Sequence, residues 1–223
     1  MKGLEPGSGT AAAANASAES ELGSVATNSR HAVLKAATRT AHAALDGFTM
    51  QAGFFESASR FGIYLERMAH FHRAYAAVTK SSDVFGWRGK WLVDRHAGWI
   101  AEDLHALGQR ASSASLVASS GPNADATAHA LSTLAPKSVS RLLGSLYVLA
   151  GSTLGARMLH KLTVTRALPA AGGSSYLAHV GGSINWQQFL VFLESTAIDS
   201  EDRMIEGALA TFYGVQRSLE LGS

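Results

Sequence analysis

No cysteine occurs in the 223 residues, which excludes disulfides, thiolate metal sites and a cysteine nucleophile. Charge is scarce as well: 16% of positions are Asp, Glu, Lys or Arg, against about 25% in an average globular domain. Nineteen basic and 17 acidic residues leave a formal charge of +2. So small a surplus does not point to nucleic acid, whose binding faces gather Lys and Arg on one side. No run is expected to approach the ~18 apolar residues of a membrane span. The N-terminus carries one lysine followed by glycine, alanine and serine, where a secretory signal needs a leucine-rich stretch. The expectation is a cytoplasmic protein with neither a nucleic-acid nor a membrane partner. Sustained β alternation and internal repeats are also missing.

What is abundant is small. Hydrophobic residues make up 47% of the chain, but alanine supplies much of that fraction, and there are 22 glycines besides. Such a composition favours helices that approach one another, or a ligand, closely. Residues 1–28 form an Ala/Gly/Ser-rich stretch with little to bury and are expected to be a disordered tail. The remainder, 29–223, reads as one helical domain. Helical periodicity predicts helices at about 29–46, 57–80, 90–108, 125–134, 137–166 and 185–220, the last broken near Asp199. Pro136 suits the start of the long fifth helix. Two soft segments, roughly Ala111–Thr127 and Pro169–Ser183, are expected to link them.

Two helices carry unusual patterns. In the first, Lys35, Arg39 and His42 stand at i, i+4 and i+7 and share one stripe, with Leu34, Ala37, Ala41 and Leu45 as its apolar flank. The stripe suits a ligand with an apolar body, an anionic edge and a metal; a solvated basic edge with one boundary histidine is the alternative. In the long helix, Gly144, Gly151 and Gly155 project on nearly one face. Each costs about 1 kcal/mol relative to alanine, so something compensates. Either another helix packs against the glycines, or a flat ligand rests on exposed backbone. Taken together, a cation–imidazole helix and a glycine-relieved helix could sandwich a planar metal macrocycle, and heme fits that description.

At these residues the chain resembles a known family. LKAATRTAHAALD (Leu34 to Asp46) is similar to the proximal-helix motif of biliverdin-producing heme oxygenases, and YVLAGSTLGARML (Tyr147 to Leu159) to their distal glycine helix. The weaker patterns WQQFLVFLE (Trp186 to Glu194) and FYGVQRSLE (Phe212 to Glu220) extend the resemblance over about residues 30–220. It implies an all-α, single-domain bundle with heme held between a proximal and a distal helix. His42 matches the proximal iron ligand, and Lys35 and Arg39 match basic positions near the heme propionates. Gly151 and Gly155 match the distal glycines whose backbone contacts heme, with Tyr147 one turn earlier as a further cofactor-binding position. Ser152 sits where animal-type members have an aspartate that orders distal water, which resembles the bacterial type. Gly151, Ser152 and Gly155 are accordingly the catalytic positions that the resemblance implies.

The implied activity is cleavage of heme to biliverdin, CO and ferrous iron. Heme serves as substrate and prosthetic group, O2 as oxidant, and a ferredoxin or flavin reductase as electron donor. A phytochrome receiving the biliverdin is a partner of the same reading. Two features depart from the family. Ala150 replaces the glutamate common in bacterial relatives, which keeps a non-catalytic heme- or tetrapyrrole-binding protein on the same fold as the alternative. The Trp186–Glu194 stretch also lacks the basic residue that some members use as a further propionate anchor.

The other histidines and tryptophans are assigned structural places. His70 and His72 lie on opposite sides of their helix. Asp94, His96, Glu102, Asp103 and His105 are expected to form a solvated helix face rather than a metal cluster. Trp87, Trp91 and Trp99 are expected in the core or at its edge.

Overall fold

The computed structural model describes residues 29–80, 95–108, 122–134, 138–169 and 172–221. All regular structure among them is helical: α1 (Arg30–Gln51), α2 (Ala58–Thr79), α3 (His96–Ala106), α4 (Pro122–Leu131) with a 3-10 turn (Ser132–Leu134), α5 (Val139–Thr165), α6 (Ser175–Ser183), α7 (Trp186–Ser195) and α8 (Glu201–Leu219). The tail, Asp94, Trp87, Trp91, Pro136 and most of the Ala111–Thr127 linker lie outside the described residues.

Hydroxyl caps set the helix starts. Ser29, Ser57, Ser138, Ser174 and Ser200 each accept from the backbone N–H three residues on, and Asn185 does so for α7. Each satisfies one of the orphan donors of a first turn. The start of α5 is thus fixed by Ser138. At α8, Glu201 and Asp202 in the first turn and Arg217 in the last oppose the helix dipole.

The bundle is organised around the crossing of α5 and α8. A Cβ placed on Gly144 would lie 1.8 Å from the Met204 carbonyl oxygen, and one on Gly207 would lie 2.0 Å from that of Arg141. The two backbones therefore touch, each glycine under the other helix's carbonyl. Beside this contact a buried hydroxyl ladder joins three helices: Tyr75 Oη and Ser145 Oγ are 2.7 Å apart, and Thr211 Oγ1 donates to Ser145 Oγ over 3.0 Å. The bend before α8 is held by Ser140, whose Oγ accepts from the N–H groups of Asp199 and Ser200 and donates to the Asp199 carboxylate. Those bonds and Arg203 hold the Asp199 carboxyl down at about 2. The break expected near Asp199 is therefore real.

Three expectations are corrected. Residues 169–183 are not a linker throughout, because they contain α6, in which Gly181 sits so close to Arg157 that a Cβ would lie 2.9 Å from Arg157 Cγ. Arg157 Nε also donates to the Gly181 carbonyl over 2.6 Å. Gly181 thus serves helix contact, whereas Gly173, at φ 74°, belongs to the turn before α6. Second, α5 is long and apolar enough to cross a membrane, with a mean hydropathy of 1.3 over its best window. Serine, threonine and glycine interrupt any pure apolar run in it. Half of that window is buried against the rest of the bundle, which accounts for its apolarity. Third, His96 and Asp103 are buried rather than solvated, although Glu102 and His105 are exposed.

Asp103 caps α6, accepting from the N–H groups of Ser175 and Tyr176 and from Ser174 Oγ. His72 on α2 meets Tyr176 Oη at 2.8 Å through Nε2 and His96 Nδ1 at 3.3 Å through Nδ1. A Tyr176 hydroxyl donating to Nε2 leaves the His72 Nδ1–H to donate to His96 Nδ1, so both ring nitrogens of His72 are met with its imidazole neutral. His70 turns the other way, toward Ser218, and Trp99 is buried, both as expected.

Two outcomes follow for stability. Gly144→Ala should cost about 3 kcal/mol or more, since backbone must move to admit the methyl group. In a domain of this size the melting temperature would fall by roughly 6–12 °C; an unchanged melt would contradict the crossing. Burial, with His96 beside it, holds the His72 imidazole well below its ordinary 6.5. The unfolded chain therefore takes up a proton below about pH 6.5 that the folded seam refuses, and stability is complete above that pH and falls beneath it. Melts at pH 7.5 and 5.0 should differ by up to about 2 kcal/mol, at about 1.4 kcal/mol per pH unit. His72→Gln should shrink the difference.

Candidate functional site

Helices α1 and α5 both rest on α8 without packing along one another. The core stripe of α1 is Leu34, Thr38 and Ala41, continued by the partly buried Leu45 and Phe48. Helical geometry then puts Lys35, His42 and Asp46 along its flank, with Arg39 a little further out. The two helices are tied at each end. At one end the Tyr147 side chain of α5 lies beside Thr38 of α1; Tyr147 is half-buried, and burial raises its hydroxyl. At the other, Arg166, just past α5, donates from Nη1 to the Phe55 carbonyl, just past α1, over 2.7 Å. Between these contacts the midsections of α1 and α5 do not pack on one another among the described residues, which leaves an interval between them, the candidate cleft.

His42 is 61% exposed. Its ring stands edge-on to Phe212 of α8, with centroids 5.6 Å apart, and its Nδ1 lies 2.9 Å from Asp46 Oδ2, one turn further along α1. A carboxylate on Nδ1 fixes the tautomer and the ring plane and leaves Nε2 as the basic nitrogen facing outward. That is the outer-shell support a metal-binding imidazole commonly has. Lys35 and Arg39 are exposed, and neither meets a carboxylate among the described residues. Both remain available to an anionic group.

The three glycines of α5 divide. Gly144 serves the α8 crossing. At Gly155 an added Cβ would meet nothing within 4 Å among the described residues, and at Gly151 only the Trp186 ring edge, at 3.9 Å. The same open face carries Leu154, 46% exposed, and Met158, 73% exposed. Bare backbone flanked by solvent-facing apolar side chains is costly in an isolated helix and becomes useful once a flat apolar body covers it. A planar tetrapyrrole with iron fits this set: one free imidazole nitrogen with its orienting carboxylate, two unpaired cations, and a glycine face without side chains in the way.

Ser152 is exposed, but it lies about 100° around the helix from Gly151. Its hydroxyl donates to the Leu149 carbonyl over 2.7 Å. Ala150 is fully buried in the core and turned away from the glycine face. The departure at position 150 therefore alters the interior of the bundle and leaves the cleft lining as it is. Sequence reasoning missed Asp46 and Phe212 as supports of His42, and Thr38 as the partner of Tyr147. Only Asp46 left a signal, its i, i+4 spacing from His42.

The family model described as heme oxygenase matches residues 29–219 of this chain. No curated protein matches it.

If the glycine face is open, Gly155→Ala should stabilise the ligand-free protein by about 1 kcal/mol. That corresponds to roughly 2–4 °C in melting temperature, the opposite sign to Gly144→Ala. A lower melt for Gly155→Ala would mean that polypeptide covers this position.

Proposed function

The chain belongs to the heme oxygenase family, and from that membership we propose that it cleaves heme to biliverdin, carbon monoxide and ferrous iron, using molecular oxygen and electrons from a separate donor. The observation that carries this reading is the pairing of an exposed, Asp46-oriented His42 with a solvent-open glycine face on the opposing helix. His42 would hold the iron through Nε2, with Asp46 keeping the Nδ1 proton in place. Lys35 and Arg39 would take the propionates through charge-assisted hydrogen bonds, which set the in-plane orientation. Gly151 and Gly155 would let the α5 backbone approach the macrocycle, and Leu154 and Met158 would cover its apolar surface and exclude water from it. Heme, when bound, supplies the redox chemistry with oxygen, and the protein contributes seating and proton supply.

Among the described residues of α5, from Val139 to Thr165, there is no acidic side chain. Protons at the distal side would therefore arrive through water, with the Ser152 hydroxyl the nearest polar side chain beside the glycines. In this reading the electrons come from a ferredoxin or flavin reductase, the reaction runs in the cytoplasm, and the biliverdin is free to supply a phytochrome. Ala150 gives little support to the binding-only alternative, because its side chain does not line the cleft.

The test uses the full chain and hemin. A Soret spectrum of histidine-ligated heme is expected on mixing, and adding reductant in air should convert it to a verdin product. A stable reduced spectrum without verdin would leave a heme-binding protein, and no Soret shift would sink both. His42→Ala should abolish the histidine-ligated spectrum and stop turnover until imidazole is added. Asp46→Ala should retain the ligand but lose about tenfold in heme affinity or activity.

A further inference from the structure

Sulfur in this chain is confined to five methionines, because cysteine is absent. Met1 lies outside the described residues, and Met68 and Met204 are buried in the core. That leaves Met50 and Met158, 64% and 73% exposed. A thioether is a natural gap-filler of cores, yet Met158 is the most exposed large apolar side chain among the described residues. Its place is specific. Seven residues past Gly151 and three past Gly155, it stands within about 20° and 60° of them around α5. Long helical side chains lean toward the N-terminus of their helix, which brings the thioether back toward the turn that holds Gly155. No described atom comes within 4 Å of a Cβ on Gly155, so Met158 borders the bare backbone without covering it. Met50 is on α1, some two turns past His42 and about 80° around from it.

A chain without thiols offers peroxide no thiolate, so its accessible thioethers are the sulfur that reacts. Oxidation turns a flexible apolar side chain into a polar one. At an exposed position the new oxygen stays in water, and the ligand-free fold loses nothing by it. The cost arises only when an apolar body covers the site and the sulfoxide must give up its water. The same substitution of chemistry is therefore neutral for folding and adverse for binding at Met158, and neutral for both at Met50.

Resting on the reading of the cleft as a heme site, we propose that Met158 is a modification site, a thioether that hydrogen peroxide converts to the sulfoxide and whose oxidation lowers the affinity of the cleft for heme. In the step the O–O bond of the peroxide breaks and one oxygen passes to the sulfur, which supplies the electron pair of the new S–O bond. The sulfur is oxidised by two electrons, the peroxide is reduced by two, and the second oxygen leaves as water with both protons. Peroxide forms wherever a donor passes two electrons to dioxygen without a substrate to consume them, so the empty cleft is the state at risk. A macrocycle lying on the glycine face shields Met158. The change is reversible, since methionine sulfoxide reductases return the sulfoxide to the thioether.

The experiment treats the ligand-free full chain with hydrogen peroxide, removes the excess with catalase, and reads sulfoxide by peptide mass and affinity by hemin titration. Met50 and Met158 should both be oxidised, while Met68 and Met204 stay intact. Gallium protoporphyrin, which has the shape and carboxylates of heme but no redox chemistry, should protect Met158 and leave Met50 reactive. Hemin affinity should fall about tenfold or more on oxidation, with the melting temperature within about 2 °C of the untreated protein. Methionine sulfoxide reductase should restore it. The loss should persist in Met50→Leu and vanish in Met158→Leu, each compared with its own untreated sample. Met158→Gln, which places a polar group there without peroxide, should bind hemin about as weakly as the oxidised chain. Unchanged hemin affinity once Met158 is oxidised, a loss that survives in Met158→Leu, or no difference in protection between the two methionines would overturn the proposal. Untreated protein that binds neither hemin nor gallium protoporphyrin would instead overturn the heme reading on which it rests.

Discussion

Two glycines placed under two carbonyls hold this bundle in its arrangement. Where α5 crosses α8, Gly144 meets the Met204 carbonyl and Gly207 meets the Arg141 carbonyl, so the backbones are separated by no side chain. Close-packed interiors do not deform gradually to absorb an added methyl group, so this contact sets both the depth and the angle of the crossing. The hydroxyls of Ser145, Thr211 and Tyr75 lie beside it and reward the same close approach, since the bonds that join them across three helices are lost if the helices separate. The sharp turn at Ser140 and Asp199 aims α8 into the crossing.

The cleft is a consequence of that crossing. No described α8 atom lies against Gly151 or Gly155 of α5, while α8 also packs on α1 and places Phe212 against the His42 ring. Two helices resting on a third, tied to each other only near their ends, leave an open interval between their midsections. Residues that would be ordinary surface on an isolated helix become opposing walls. His42 with Asp46 and the unpaired Lys35 and Arg39 stand on one side, and the Gly151–Gly155 backbone with Leu154 and Met158 on the other. In the proposed function this interval is where heme would sit.

Much of the architecture is legible from periodicity. The extents of α1, α2 and α5 and the break before α8 follow from apolar spacing and from hydroxyl caps. α6 is not legible in that way, because its glycines read as breakers until Arg157 is seen packed on Gly181. The burial of His96 and Asp103 is equally hidden. Arg95, Ala97 and Glu102 beside them are exposed, and their partners, His72, Ser174 and Tyr176, come from elements distant in the chain. A polar residue is affordable in a core only when its hydrogen bonds are met there, and those partners are set by tertiary packing.

The same division runs through the candidate site. The sequence by itself determined which side chains share a helical stripe, because 3.6 residues per turn is a local property: Lys35, Arg39 and His42 on one helix, Gly144, Gly151 and Gly155 on another. It also excluded a thiolate iron ligand, since the chain has no cysteine. Only the tertiary structure decided that Gly144 is a packing glycine while Gly151 and Gly155 face open space, although all three lie on one face. The reason is that α8 covers that face at Gly144 and no longer reaches it two turns on, at Gly151. It was likewise packing that set His31 against Trp186 and Tyr147, joining the start of one helix to two others through contacts that no spacing along the chain encodes.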